Sequence, residues 1–124
     1  MKISVCLATY NGEKYIKEQL DSILSQLGND DEIIISDDHS KDNTIEIIKS
    51  LEDDRIKIFV NNLEKGYSKN FENAINHSSG DIICLSDQDD VWMKDKVEKM
   101  LEALEKSDLV ISDALISDEN LDPT

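Results

Sequence analysis

The sequence predicts an α/β protein with a Rossmann-like, doubly wound and mostly parallel sheet in three layers. Short apolar runs typical of buried strands alternate along the chain with stretches whose apolar residues recur at helical spacing. The connections are short, and right-handed crossovers then place helices on both faces of the sheet. With 124 residues, the chain is long enough for one such domain and too short for two.

The first two strands are apolar at nearly every position. Residues 3–8 and 32–36 have this composition, which is typical of parallel strands buried on both faces. Between them, apolar residues recur at helical spacing from Tyr15 to Leu27. They predict an amphipathic helix that ends near Gly28.

The middle of the chain continues the alternation of helix and strand. Asp42 or Asn43 can cap a second helix, whose apolar face runs from Ile45 to Leu51. Residues 55–60 then alternate between polar and apolar side chains. This pattern predicts a third strand nearer the edge of the sheet.

The last third of the chain supplies two further helices and two further strands. A third helix is outlined from Phe71 to Ser78, and residues 81–86 form the fourth strand. A fourth helix runs from Val97 to Leu104, and a fifth strand starts at 109–111. The chain then ends in a polar, acidic tail without a closing element, which indicates an unfinished fold.

Composition and charge limit the possible partners. The formal net charge of -15 argues against nucleic-acid binding, which requires basic contacts, and against docking of this domain on an anionic membrane. No apolar run approaches the ~18 residues of a membrane span, and the N-terminus lacks the layout of a signal peptide. We therefore expect a cytoplasmic protein. Cys6 and Cys84 lie within apolar runs and are interpreted as small buried hydrophobes.

A cluster of carboxylates directly follows the fourth predicted strand. Asp87, Asp89 and Asp90 stand within the sequence Ser86-Asp87-Gln88-Asp89-Asp90-Val91-Trp92. Because these side chains repel one another, a hard divalent cation with oxygen ligands is their natural partner. A solvated acidic turn is the alternative.

Two more polar loops follow the first and second predicted strands. Thr9 and Asn11 can hydrogen-bond a ligand, and Tyr10 between them can pack on a ring. At the end of the second strand, Asp37 or Asp38 can accept a hydrogen bond from a base N–H or a sugar hydroxyl. His39 could be a metal ligand or a proton carrier, but it is interpreted as a polar loop residue. The carboxyl ends of parallel strands meet at one edge of a sheet. The sequence therefore predicts a nucleotide lying across that edge, with its base at one end and a metal ion at the other.

The order of these motifs resembles that of the family 2 glycosyltransferases of GT-A fold. The resemblance is carried by residues 4–11, 35–42 and 87–90, with 62–66 and 70–75 similar to the family's middle segment. It covers nearly the whole chain. The Asp-Gln-Asp-Asp-Val-Trp form is also similar to the branch that includes many bacterial rhamnosyltransferases.

The resemblance implies a donor-binding role for several residues. Asp38 would contact a uracil or thymine base, Asp87 would lie near the ribose, and Asp89 with Asp87 would hold Mg2+ or Mn2+ on the diphosphate. Lys69 stands where the family commonly has arginine, and His39 stands at a position often held by glycine. The nucleotide-binding residues implied in this way are Ala8, Thr9, Tyr10, Asn11, Asp38, Lys69, Asp87 and Gln88.

The resemblance also implies an activity. The family members it points to are inverting, metal-dependent enzymes that move a sugar from a UDP- or dTDP-sugar to a saccharide or lipid-linked acceptor in bacterial surface polysaccharide synthesis. Their catalytic base lies well beyond the acidic motif, so here we expect it beyond residue 124. Residues 1–124 are then a single donor-binding domain without its acceptor-binding half, and the isolated chain should transfer little or no sugar.

A missing half would have physical consequences for the isolated chain. Surfaces that the other half would cover are left exposed, so we expect a homodimer or marginal stability. Peripheral association with the inner face of the membrane would come through parts outside this sequence.

Two other classes of protein share some of these sequence features. A receiver-like phosphorylation switch also carries an acidic pair such as Asp37-Asp38, but on its first strand, and with a lysine after its fifth. Here a full strand and helix precede the pair, and no lysine follows Ile111. A non-catalytic module that binds nucleotide and dimerises would share every donor-side residue, so it stays open as the alternative.

Overall fold

A four-stranded parallel sheet forms the centre of the molecule. The computed structural model describes residues 2–86 and 92–104. The strands are β1 (Ile3–Thr9), β2 (Glu32–Asp37), β3 (Ile56–Val60) and β4 (Ile82–Ser86), in the order β3-β2-β1-β4. Every neighbouring pair is parallel, which confirms the predicted sheet, and β3 lies at an edge as expected. The predicted fifth strand at 109–111 lies outside the described residues.

In the described part of the chain, four helices alternate with these strands. They are α1 (Ile16–Leu24), α2 (Thr44–Ser50), α3 (Tyr67–Asn76) and α4 (Lys96–Leu104). Among the described residues, no helix combines the length and apolar character needed to cross a bilayer.

Two helix ends differ from the sequence prediction. α1 stops at Leu24 because the N–H of Leu27 bonds three residues back and tightens the last turn. The guanidinium of Arg55 also donates to the carbonyls of Leu24 and Leu27, at 3.2 and 3.0 Å, so both accept a hydrogen bond from outside the helix. α3 starts at Tyr67, four residues before the predicted Phe71. The sequence pattern missed this first turn because residues 68–70 are polar and add nothing to the apolar periodicity.

The helices cover both faces of the sheet, so the three-layer architecture is confirmed. On one face, apolar residues of α1, α2 and α4 pack with alternate residues of the strands into the main core. On the other face, α3 packs on β1 and β2, with Ala74 against Cys6 and Ile34. The fold therefore leaves the carboxyl ends of the strands between the two helical layers, where the loops of interest begin.

The two cysteines are buried, as predicted, and belong to different faces of the sheet. Cys84 lies in the main core and Cys6 lies on the α3 side. Burial raises the pKa of the Cys6 thiol to about 12 and that of Cys84 to about 11. Both thiols therefore stay protonated at neutral pH and act as small core residues.

A buried charged network lies at the amino-terminal ends of the strands, around Glu32. The Glu32 side chain is only 2% exposed, and its carboxylate accepts from Ser4 Oγ at 2.6 Å, Ser79 N at 2.8 Å and Lys57 Nζ at 2.9 Å. Lys2 Nζ adds an ion pair at 3.3 Å. Burial alone would raise the pKa of this carboxyl, but the hydrogen bonds from Ser4, Ser79 and the two lysines outweigh it and lower the pKa to about 2.

Candidate functional site

A cavity of about 360 Å3 opens at the carboxyl ends of β1 and β2. The residues that line it are Ala8, Thr9, Tyr10, Asp38, Gly66, Tyr67 and Asn70. Four of these, Ala8, Thr9, Tyr10 and Asp38, belong to the nucleotide-binding set implied by the sequence. A larger cavity of about 460 Å3 runs along the outer side of β3 and the end of α2, and it holds none of the predicted site residues.

Thr9 fixes the floor of this cavity through its backbone and its hydroxyl. Its Oγ1 donates to Asp37 Oδ1 at 2.7 Å across the parallel pair of strands. Its carbonyl accepts from Asp38 N at 2.9 Å and from Asn70 Nδ2 at 3.2 Å. With 1% exposure, Thr9 holds the ends of β1, β2 and α3 together at one point.

Asp38 provides an anchored acceptor at the cavity wall. Its side chain takes hydrogen bonds from Asn61 Nδ2 and from Gly66 N, each at 3.1 Å and each on a different oxygen. An ionised carboxylate accepts only, and it has about four lone-pair sites. Asp38 can therefore hold segment 61–66 in place and still accept a hydrogen bond from a ligand N–H.

The loops that follow β1 and β2 are joined to each other. Asn11 Oδ1 accepts from Lys41 N at 2.8 Å, and Asn11 N donates to Ser40 Oγ at 2.8 Å. Gly12 N donates to Thr44 Oγ1 at 2.8 Å. The side chain of Asn11, a predicted nucleotide-binding residue, thus bonds to the neighbouring loop and is not among those that line the cavity.

The turn after Asp38 contains a residue with a positive φ. His39 has φ +60°, in the left-handed region that favours glycine, and its side chain is exposed. Ser40 N donates to Asp37 Oδ2 at 2.7 Å and closes the turn. His39 therefore adopts the conformation that glycine would supply, and the tight turn is kept.

Helix α2 begins beside these loops and settles the choice between the two predicted caps. Asn43 occupies the position before the helix, but its side chain makes no capping bond. Asp42 Oδ1 accepts from Thr44 N at 3.0 Å instead. Asp42 therefore satisfies a free N–H in the first turn of α2.

Lys69 lies close to the cavity along the chain but not in its lining. Its Nζ pairs with Glu72 Oε1 at 3.3 Å on the exposed side of α3. The next residue, Asn70, is 3% exposed and lines the cavity. Among the described residues, none donates a hydrogen bond to the buried Asn70 Oδ1.

Sequence reasoning missed Gly66, Tyr67 and Asn70 as lining residues. Gly66 has φ +124°, a conformation open to glycine, and it directs the chain into α3. Tyr67 and Asn70 are three residues apart and therefore share one face of that helix. A glycine directly before a helix, followed by polar residues at this spacing, is the signal that could have revealed them.

The acidic motif itself, Asp87 to Asp90 with Gln88, lies outside the described residues. Within the parts of the chain that are described, no group of three or more histidine, cysteine or acidic side chains could hold a metal ion. Ser86 and Trp92, on either side of the motif, belong to the described residues and show where the chain enters and leaves it.

Helix α1 holds both flanks of the acidic motif. The buried Ser86 Oγ accepts from Gln19 Nε2 at 3.2 Å and from Trp92 Nε1 at 3.1 Å. Trp92 N donates to Ser22 Oγ at 2.9 Å, and Gln26 Nε2 donates to the carbonyl of Met93 at 2.6 Å. Gln19 and Ser22 belong to α1, and Gln26 lies in the turn directly after it, so this helix and the turn that follows hold the two ends of the motif.

Comparison with known families identifies the chain. The model of glycosyl transferase family 2 matches residues 4–123, almost the entire sequence. The chain belongs to this family. The resemblance inferred from the sequence motifs is confirmed.

Curated members of the family are similar along most of this chain. The dTDP-rhamnosyl transferase RfbG of Shigella flexneri is 42% identical over 106 residues, which cover 79% of the chain and 36% of that protein. The UDP-Glc:alpha-D-GlcNAc-diphosphoundecaprenol beta-1,3-glucosyltransferase WfgD of Escherichia coli is 31% identical, covering 86% of the chain and 42% of that protein. The chain spans 35% to 39% of the length of the first curated relatives it matches.

Solved glycosyltransferase structures share the fold. The S. aureus TarS fragment 1–349 in complex with UDP-GlcNAc is 27% identical, with a TM-score of 0.76 over 86% of this chain and 32% of that one. Glucosyl-3-phosphoglycerate synthase from Mycobacterium tuberculosis, crystallised with Mg2+ and UDP, is 25% identical, with a TM-score of 0.62 over 70% of this chain and 33% of that one. The GT-A fold predicted from the sequence is therefore confirmed.

Proposed function

We propose that this chain is the donor-binding part of an inverting, metal-dependent glycosyltransferase of bacterial surface polysaccharide synthesis. The observation that carries the proposal is the cavity at the ends of β1 and β2, where Tyr10 and Asp38 stand together in a family 2 chain. Ligands of open α/β sheets bind in this position, outside the carboxyl ends of the strands.

The donor in this proposal is a UDP- or dTDP-sugar. The carboxylate of Asp38 suits the N–H of a uracil or thymine ring, and the exposed ring of Tyr10 suits its face. RfbG is named for a dTDP donor, WfgD for a UDP donor, and TarS was crystallised with UDP-GlcNAc. In the same proposal, Asp87 lies near the ribose, and Ala8, Thr9, Asn11, Lys69 and Gln88 complete the nucleotide-binding set.

The metal in this proposal is Mg2+ or Mn2+ at Asp87 and Asp89. Two carboxylates offer the hard oxygen ligands that both ions accept, so the chemistry of these side chains fits the ion. When bound, the ion would stabilise the negative charge that develops on the diphosphate as the sugar–phosphate bond breaks. The chain's own contribution is to bind the base, orient the nucleoside and present the two carboxylates.

The acceptor and the catalytic base belong to the part of the protein beyond residue 124 in this proposal. The acceptor in this proposal is a saccharide or a lipid-linked saccharide, and WfgD is named for an acceptor of the second kind. An Asp or Glu in that part would deprotonate the acceptor hydroxyl. The chain of 124 residues should accordingly bind donor and transfer little or no sugar by itself.

Calorimetric titration of UDP and dTDP, with and without Mn2+, tests the proposal. We expect binding that strengthens with Mn2+, and Asp89→Ala should abolish the metal-dependent part. Asp38→Asn should weaken binding with and without metal by about 5- to 150-fold, because one acceptor of a base N–H becomes a donor. Asp30→Ala, which removes an exposed carboxylate outside the cavity, is the charge-matched control.

The outcomes separate the proposal from its alternatives. An intact, folded chain that binds neither nucleotide under any condition would overturn it. Nucleotide binding by a full-length protein that transfers no sugar would instead favour the non-catalytic, nucleotide-binding module.

A further inference from the structure

Two exposed tyrosines stand at the same cavity. Tyr10 follows β1 and is 44% exposed, whereas Tyr67 is the first residue of α3 and is 61% exposed. Single exposed aromatic residues are common on protein surfaces and need no explanation. Two of them lining one cavity beside a carboxylate form an arrangement that suits a flat ring with an N–H edge.

The position of Tyr67 is set by its neighbours in the fold. Gly66, directly before it, has φ +124° and donates its N–H to Asp38 Oδ2 at 3.1 Å. The Tyr67 ring packs edge-on against the buried Phe71, with centroids 4.8 Å apart and an interplanar angle of 82°. The backbone turn and the aromatic contact together hold this ring at the cavity.

The size and the lining of the cavity limit what it accepts. About 360 Å3 is at the small end of the range for ligand sites, so this cavity suits a nucleoside better than a complete nucleotide sugar. Asp38 contributes acceptors but no donors when ionised. A pyrimidine with a ring N–H satisfies both conditions.

We propose that Tyr67 is a second wall of the base site, so that the pyrimidine ring of the donor enters between Tyr67 and Tyr10. Its N–H edge then faces Asp38. This inference rests on the proposed donor-binding function and adds a binding residue from α3 that the sequence motifs did not indicate. The contact is made by the aromatic ring of Tyr67, and its hydroxyl is not required.

Substitutions at Tyr67 distinguish the contribution of its ring to nucleotide binding from that of its hydroxyl. Stacking of a base on an aromatic side chain is strong enough that Tyr67→Ala should weaken UDP and UMP binding by about 5- to 150-fold. Tyr67→Phe keeps the ring and should bind within about twofold of the unmodified chain, by the same argument. Tyr15→Ala is the matched control, because Tyr15 is 48% exposed and does not line the cavity.

The experiment measures dissociation constants by calorimetry together with the absorbance of the bound base. Stacking lowers the intensity of the base's ultraviolet band, so Tyr67→Ala should lose part of that change at saturating UMP, whereas Tyr67→Phe should retain it. Circular dichroism melting checks that each variant is folded.

Each outcome supports or contradicts the proposal that the Tyr67 ring contacts the base. Unchanged UDP affinity in Tyr67→Ala, with an unmodified chain that binds UDP, would overturn this inference and leave the proposed function intact. A Tyr67→Phe variant as weak as Tyr67→Ala would show that the hydroxyl, rather than the ring, makes the contact, and would also overturn it. Failure of the unmodified chain to bind either UDP or dTDP would remove the proposed function and the inference with it.

Discussion

Glu32 is the residue whose environment has the clearest measurable consequence. Its carboxylate is buried and receives hydrogen bonds from Ser4, Ser79 and Lys57. Its pKa of about 2 in the folded chain lies below the ordinary glutamate value of 4.5. Because the folded-state pKa is lowered, the unfolded chain binds the proton more readily, and the stabilisation is present above the unfolded value.

The stability of the chain should therefore fall as the pH drops from about 4.5 towards about 2, as this carboxylate becomes protonated. Glu32→Gln should lower the free energy of unfolding by roughly 2–3 kcal/mol at pH 7, and the deficit should shrink across that interval. Urea unfolding at pH 7, 5 and 3 measures this, with the half-exposed Glu72→Gln as control. If the difference in free energy of unfolding between the unmodified chain and Glu32→Gln were the same at pH 5 and at pH 3, the lowered pKa of Glu32 would not explain its stabilising effect.

At the scale of elements, α1 organises the approach to the acidic motif. Ser86 Oγ is a shared acceptor for Gln19 on α1 and for the Trp92 indole, so β4, α1 and the segment before α4 meet at one hydroxyl. Each of these side chains is almost completely buried. Removing the acceptor therefore affects two buried donors, whereas removing one donor affects a single bond.

Ser86→Ala should consequently destabilise the chain more than Trp92→Phe does. We expect a loss of about 2–3 kcal/mol for Ser86→Ala, because buried donors lose their acceptor, and about 1 kcal/mol for Trp92→Phe, which keeps most of the ring. Urea midpoints of both single variants and the double variant give the values and their coupling. Ser50→Ala, at an exposed position on α2, is the control. Equal effects of Ser86→Ala and Ser50→Ala would be inconsistent with a shared buried acceptor.

The elements also show what could be predicted from the sequence and what could not. The strands and the common edge of their loops followed from apolar runs and parallel topology, because those signals are local. The end of α1 did not, since the Arg55 guanidinium that donates to the carbonyls of Leu24 and Leu27 is distant in sequence. The contact of Asn11 Oδ1 with Lys41 N was not predicted either, because it depends on how two loops pack. Long-range partners of this kind leave no periodic pattern.

At the scale of the whole molecule, two sheet edges bear on association. Within the described residues, β3 and β4 each have one side without a neighbouring strand. Val60 on β3 is 54% exposed and Ile83 on β4 is 42% exposed. Such edges favour pairing with another chain, whereas a net charge of -15 opposes it by repulsion.

We expect the isolated chain to dimerise, and the dimer fraction to rise with salt because screening weakens the repulsion between like-charged chains. Sedimentation velocity at several concentrations and at low and high ionic strength measures this. Ile83→Lys should reduce the dimer fraction, whereas Met93→Lys, at an exposed position outside the strands, should reduce it less. A chain that stays monomeric under all these conditions would exclude the homodimer.

The joined loops at the carboxyl ends of β1 and β2 affect the entropy cost of binding a ligand there. Lys41 N donates to Asn11 Oδ1 and Gly12 N donates to Thr44 Oγ1, so these hydrogen bonds form within the chain itself. These two loops therefore lose their conformational entropy during folding, before any ligand binds. Preorganisation of this kind leaves little ordering to be done on binding, so more of the contact energy is retained as affinity.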